Sequence, residues 1–293
     1  MIKQILAISS IVLFSSAISA AEIIPYGSFN YKWSNDENSS GKSYSKLEDN
    51  GSSIGVEVID LGVEGDTITG FAKLEVGVDT DDSGSDTFDS KLAYVGLDSN
   101  MGALSVGRQS HPFADNIGGK TSIFNVYGGS SDWNYGSRSS NSMKFSTTQS
   151  GLTLDTIGIV DGSSTNTNAF DEFEVTISTK LLGSDISVGY ADDVNSDISY
   201  WGVAGSTDLG PLTVSSSYTI YDAATDKYGL EATASYSIFS VGYGDKEGTG
   251  VAYTAGVSHD LNESVSVYAE GEMKDLDSGS DTTSWSIGSK FTF

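Results

Sequence analysis

Ser284-Trp285-Ser286-Ile287-Gly288-Ser289-Lys290-Phe291-Thr292-Phe293 closes the chain, and its reading governs everything before it. Trp285, Ile287, Phe291 and Phe293 fall on one side of a period-two pattern. Ser284, Ser286, Gly288, Lys290 and Thr292 fall on the other. Successive side chains of an extended strand point to opposite faces, so this segment carries one apolar and one polar face. The same alternation recurs upstream. Phe173, Val175, Ile177 and Leu181 alternate with Glu172, Glu174, Thr176 and Lys180. Ala72, Leu74, Val76 and Val78 alternate with Lys73, Glu75 and Gly77. From Ile24 onward no stretch offers the i, i+3, i+4, i+7 stripe of an amphipathic helix. The chain reads as all-β.

The connections between strands carry the next step. Polar, Asp/Ser/Gly-rich stretches run near 34–51, 79–87, 110–140, 161–171, 192–197, 222–227, 245–250 and 274–282. Short turns lie between them, near 61–66, 98–102, 149–151, 182–184, 208–211, 237–239 and 260–263. Fifteen connections make sixteen strands, with long loops expected at one end and tight turns at the other. An even strand number with that asymmetry predicts a 16-stranded antiparallel transmembrane β-barrel. A bilayer admits no open sheet edge, so a spanning sheet has to close.

Composition agrees. The 293 residues hold 38% hydrophobic and 11% aromatic side chains, 34 Gly and only 3 Pro. A sheet with lipid on one face and water on the other needs few apolar residues. The absence of cysteine removes a disulfide framework, a thiolate metal site and a thiol nucleophile. A net charge of −25 argues against nucleic acid, which requires a basic face. His111 and His259 are the two histidines, and neither sits in a recognisable catalytic or metal motif. The sequence therefore predicts no metal, no cofactor and no enzyme.

The first twenty residues read differently. Lys3 precedes the apolar run Ile5 to Phe14, and small residues follow up to Ala20 and Ala21. This is the order of a secretory signal peptide, with cleavage after Ala20 or after Ala21. Residues 1–20 are expected to be removed, leaving 21–293 as one barrel domain.

Several stretches resemble the general trimeric porins of Gram-negative outer membranes. Ala21-Glu22-Ile23-Ile24-Pro25-Tyr26-Gly27 is similar to their first strand. Lys91-Leu92-Ala93-Tyr94-Val95-Gly96-Leu97 and Gly102-Ala103-Leu104-Ser105-Val106-Gly107-Arg108-Gln109 resemble their fourth and fifth strands. Phe124-Asn125-Val126-Tyr127-Gly128-Gly129 resembles the aromatic-Gly-Gly stretch of their constriction loop, and Phe293 resembles their assembly signal. The resemblance implies a homotrimer and a third long loop folded inward. It also implies contact with outer-membrane lipid and lipopolysaccharide, and recognition of the Phe293 strand by the assembly machinery. It matches Arg108, Arg138 and Lys91 to a basic constriction wall, with Asp115 and Asp132 as the opposing loop acids. Ser53 stands where members often carry Arg, and Asn125 and Val126 replace the usual Pro and Glu. Both departures imply a weaker transverse field.

Alternation alone makes Lys73, Glu75, Glu174, Lys180, Glu270, Glu272 and Lys290 lumen-facing candidates. The expected function is general diffusion of ions and small hydrophilic solutes, with mild cation preference. The alternatives are a sugar-type selective channel, begun by Tyr127, Trp133 and Tyr135, or a plugged adhesive or structural barrel.

Overall fold

A computed structural model describes residues 21–293 except 63–66, 82–85, 130, 135, 161–168 and 195. The expected signal peptide, 1–20, lies outside the described residues, as does Tyr135. Antiparallel pairing runs through β1 (Glu22–Glu37), β2 (Ser43–Asp49), β3 (Ser53–Leu61), β4 (Ile68–Val78), β5 (Phe88–Ser99) and β6 (Gly102–Ser110). It continues through β7 (Arg138–Gln149), β8 (Leu152–Ile159), β9 (Glu172–Leu181), β10 (Ser184–Asp193), β11 (Ile198–Leu209) and β12 (Leu212–Asp222). The last five are β13 (Lys227–Tyr236), β14 (Phe239–Lys246), β15 (Gly250–Asn262), β16 (Val265–Leu276) and β17 (Thr282–Thr292).

β2 and β3 are two pieces of one wall strand. Both pair with β1, Tyr31 opposite Asp49 and Ser28 opposite Ser53, with a break at 50–52 where Gly51 takes φ +85°. The wall therefore counts sixteen strands, as the sequence predicts. Closure runs between β1 and β17, which pair from Ser28 opposite Thr292 to Asn35 opposite Trp285. Gly27 and Phe293 exchange backbone hydrogen bonds of 3.0 and 3.1 Å at the end of the seam. Closure leaves no sheet edge with bare N–H and C=O groups.

Burial is inverted relative to a water-soluble fold. Ser34, Ser187 and Thr219 are wholly shielded on the inner face, while Trp201 and Ile287 are each 52% exposed on the outer one. The inner face is polar and packs against a loop, and the outer face is apolar and meets lipid.

The connections correct the expected pattern. The first loop is 38–42 rather than 34–51, because Ser34 and Asn35 pair with both β17 and β2, Asp36 and Glu37 pair with β2, and Ser43–Asp49 is β2 itself. Three other stretches read as long are tight: 194–197, 223–226 and 247–249. Asp and Gly mark a turn without setting its length. Gly248, at φ +77°, and a 2.9 Å bond from Thr249 N–H to the Lys246 carbonyl close that hairpin in three residues. The third loop, 111–137, is long as expected and folds into the barrel.

Its first turn is the helix α1 (Pro112–Asn116), whose leading Pro112 fits the start of a helix, where an N–H would be unpaired. Phe113 and Ile117 pack with Ala191, Tyr200 and Ala204 in a small apolar core between loop and wall. Gly189 and Gly202 make room for it. A Cβ on Gly202 would lie 2.7 Å from Phe113 Cζ, and one on Gly189 would lie 2.9 Å from Phe113 Cδ2.

Candidate functional site

The inner wall and the third loop together form the site, and glutamates on the wall hold the loop in place. At the root, Glu174 of β9 is 1% exposed. Its Oε1 lies 2.6 Å from His111 Nδ1, and its Oε2 accepts the Phe113 N–H at 3.0 Å. His111 Nε2 lies 2.8 Å from Ser139 Oγ. One turn on, the Asn116 side-chain amide donates to Asp155 at 3.0 Å and to Thr176 at 2.7 Å.

The tip is held by backbone N–H groups. Glu270 Oε1 accepts the Asn125 N–H at 2.6 Å and its side-chain amide at 3.0 Å. Glu270 Oε2 accepts the Val126 N–H at 2.9 Å and the Tyr127 N–H at 3.3 Å. Glu272 accepts the Gly128 N–H at 3.3 Å, and Glu231 accepts the Gly129 N–H. Gly128 and Gly129 have φ of +75° and +66°, the left-handed region that favours glycine. Consecutive N–H groups in such a turn form a concave receptor for an anion. Here the anion is supplied by the wall.

The returning arm is held as firmly. Asp132 accepts the Ser217 hydroxyl at 2.7 Å, and Lys246 Nζ donates to the Asp132 carbonyl at 3.2 Å. Trp133 donates its backbone N–H to Thr219 and its indole N–H to the Tyr228 carbonyl. Its ring stacks on Tyr221 at 5.0 Å, with Lys246 Nζ 4.3 Å from the ring centroid. Tyr127 Oη donates to Asp36. These aromatics fasten the loop to the wall.

The wall from β3 to β7 carries a second set of charges. Lys73 pairs with Glu57 at 3.3 Å and sits 4.8 Å over the Tyr26 ring. Tyr26 Oη donates to Glu75 at 2.9 Å. Lys91 lies 4.0 Å from Glu75 and donates to the Gly51 carbonyl at 2.8 Å. Lys144 lies 3.8 Å from Asp115 of α1. Burial raises the pKa of Asp115, and Lys144 opposes that shift. Burial likewise raises that of Asp132, against the Ser217 bond and Lys246.

The structure therefore brings Lys91 to Glu75, Lys73 to Glu57 and Asp115 to Lys144. It does not bring Arg108 to a loop acid. The Arg108 guanidinium lies 3.0 Å from the Ser90 carbonyl and 3.3 Å from Ser140 Oγ. Along β6 it alternates with the buried Ser105 and Gln109 and so falls on the face of the exposed Leu104 and Val106. Arg138, exposed at the start of β7 and opposite Ser110, lies close enough to Asp115 for its charge to favour the ionised acid. Lys180 is 67% exposed, near Asp185 at 3.9 Å. Lys290 shares the inner face with the buried Ser286. Glu174, Glu270 and Glu272 face inward, but as fastenings of the loop. The sequence reading missed Lys144, Glu57, Glu231 and Lys246. Lys144 was legible, since Ser142, Lys144 and Ser146 alternate with Met143 and Phe145.

Residues 7–289 match the family described as Gram-negative porin, and the chain belongs to that family, a class of outer-membrane channels. The fold is shared with OmpT, an outer membrane protein of Vibrio cholerae. Its trimer form is 17% identical, over 94% of this chain and 100% of that one, at a TM-score of 0.76. A loop-deletion mutant of OmpT is 18% identical over the same shares, at 0.75. A mutant of the Rh. blastica porin is 18% identical, over 93% and 100%, at 0.66. At these identities the likeness is one of fold. No curated protein matches the chain.

The expectation that the chain is no enzyme is corrected. OmpT, an outer membrane protein, shares the fold, and a shared fold does not by itself exclude chemistry. Ser139, His111 and Glu174 do stand in serine–histidine–acid order at 2.8 and 2.6 Å, but His111 is 0% exposed and Glu174 also holds the Phe113 N–H, so the array fastens the loop root. It is the family match that favours a non-enzymatic porin.

Proposed function

We propose that the chain is a general diffusion porin, passing ions and small hydrophilic solutes through a water-filled lumen with mild cation preference. The observation that carries this reading is the third loop. It is fastened along the inner wall from β8 round to β16, by Asp155, Glu174, Ser217, Glu231, Glu270 and Glu272. The loop narrows the lumen along one side, and the charged wall of β3 to β7 faces it.

Lys73, Lys91 and Lys144 on that wall are offset by Glu57, Glu75 and Asp115, so the narrowest part carries little net charge. Selectivity then comes from the mouth. Asp79, Asp81, Asp86, Asp192, Asp193, Asp197, Asp275, Asp277 and Asp281 lie at the loop-bearing end and raise the local cation concentration. The sugar-slide reading loses ground because Trp133 and Tyr127 are engaged in holding the loop. The trimeric form of OmpT and the implied family architecture support a homotrimer in outer-membrane lipid and lipopolysaccharide. Export would use residues 1–20, and assembly would use the Phe293 strand.

The test is single-channel conductance in a planar bilayer under a salt gradient. Stepwise conductance with a cation-signed reversal potential is expected. An anion-signed potential overturns the mouth argument. Folded protein without conductance overturns the channel and supports the plugged, adhesive barrel.

A further inference from the structure

The recess between α1 and the wall of β4 to β7 has properties that general diffusion does not require. It encloses about 300 Å³ and is lined by Phe71, Lys73, Leu92, Gln109, Asp115 and Lys144. That volume is at the lower end of small-molecule sites, which run from about 300 to 1,000 Å³. The Lys144 ammonium and the Asp115 carboxylate meet at it beside the apolar Phe71 and Leu92, while Lys73 lends its stem to the lining and turns its ammonium to Glu57 and the Tyr26 ring.

The charges are arranged to be shared. Lys144 and Asp115 are 3.8 Å apart, and the Asp115 side chain is 51% exposed. Such a pair is held weakly at its Asp115 end, where water reaches part of the carboxylate, while the Lys144 side chain is 21% exposed. Lys144 also donates to the Ser110 carbonyl at 3.3 Å, which fixes the ammonium without neutralising it. Lys73 is already balanced by Glu57 at 3.3 Å. A plain anion entering here would have to displace or face carboxylates. A plain cation would face Lys144. A solute bearing both charges a few ångströms apart pairs with Lys144 and Asp115 together and leaves neither uncompensated.

We propose that this recess is a weak binding subsite for small zwitterionic amino acids with an aliphatic side chain. The solute carboxylate lies on Lys144, the solute ammonium lies on Asp115, and the aliphatic group covers Phe71 and Leu92. The proposal rests on the open-channel reading, and gives that channel a preferred class of solute.

The test is the ion current through the open channel in a planar bilayer, titrated with L-leucine. Isovalerate and isoamylamine, which carry one charge each on a similar skeleton, serve as comparisons. Leucine should reduce the current saturably, with a half-saturation about ten-fold lower than either comparison, as expected for losing one of two ionic contacts. K144M and D115N should each raise the leucine half-saturation about five-fold or more. The solute-free conductance steps in the same record report that each variant has folded. A linear, non-saturating effect of leucine overturns the subsite. So does a leucine half-saturation that both variants leave unchanged. Stronger block by isovalerate overturns the zwitterion in favour of an anion. Absence of any conductance overturns the channel reading itself, an outcome distinct from all of these.

Discussion

Asp132 shows how a single residue is used. It is 5% exposed, in a loop, on the inside of a barrel. A carboxylate there survives because Ser217 donates to it and Lys246 lies close, yet burial still raises its pKa. The sign of the pH effect follows. The ordinary value for aspartate is about 3.9, and the folded value lies above it. The ionised form therefore costs the fold free energy at neutral pH, and that cost is removed as pH falls through the raised folded value. Asparagine keeps an oxygen for the Ser217 hydroxyl and carries no charge to desolvate. The stability of D132N relative to the parent should therefore be highest at neutral pH and decline as pH is lowered to about 4.5. Thermal unfolding of both proteins in detergent across that range is the measurement. A difference independent of pH would show that Asp132 is not titrating there.

The third loop is the element whose position could not be read from the chain alone. Its wall partners could be read in part. Glu174 and Glu270 fall on the polar side of their strands, so the alternation aims them inward. Their partners are another matter. Glu270 meets the backbone N–H groups of residues 125, 126 and 127, nearly 150 positions away, and a backbone donor leaves no mark in a side-chain pattern. Alternation alone therefore presents these glutamates as open lumen charges. Arg108 fails for a different reason. The motif resemblance matched it to the constriction, while the alternation of β6 sets it with Leu104 and Val106. Strand periodicity was the better guide at that position. Most strands were legible, because each residue's face depends only on its neighbours, but the end of β1 and all of β2 lie in the polar stretch 34–51 that reads as a loop.

The fastening can be tested by grading it. Glu270 takes four hydrogen bonds from the loop tip on two oxygens. Bonds to a charged acceptor are worth about 1.5–3 kcal/mol each, and groups left buried without a partner add to the loss. E270A should loosen the tip by on the order of 3 kcal/mol. The expected result is higher open-channel current noise and closure at lower voltage, with the barrel intact on heat-modifiability gels. E270Q retains one carbonyl oxygen but presents an amide to a second set of donors, so its noise should lie between the two. Equal noise in all three proteins would mean that Glu270 does not hold the tip.

At the scale of the whole molecule, the interior and the mouth divide the electrostatic work. Inside, lysines and carboxylates are matched in pairs, Lys73 with Glu57, Lys91 with Glu75 and Lys144 with Asp115. The inner carboxylates Asp155, Glu174, Glu231, Glu270 and Glu272 are bound to the loop. The acids that water reaches directly are those of the loops and rims, among them Asp79, Asp192, Asp197, Asp275, Asp277 and Asp281. A mouth field reaches the ion path only through water, so its range is the Debye length. That length is about 10 Å at 0.1 M salt and about 3 Å at 1 M. Ions passing near the axis feel the mouth aspartates in dilute salt and lose them in concentrated salt. Cation selectivity should therefore fall steeply between those two ionic strengths, at a fixed ratio of salt activities across the bilayer. Paired charges lining a narrow, poorly screened constriction would behave otherwise, holding their selectivity as salt rises. A reversal potential that stays constant from low to high salt would thus move the origin of selectivity from the mouth to the wall of β3 to β7.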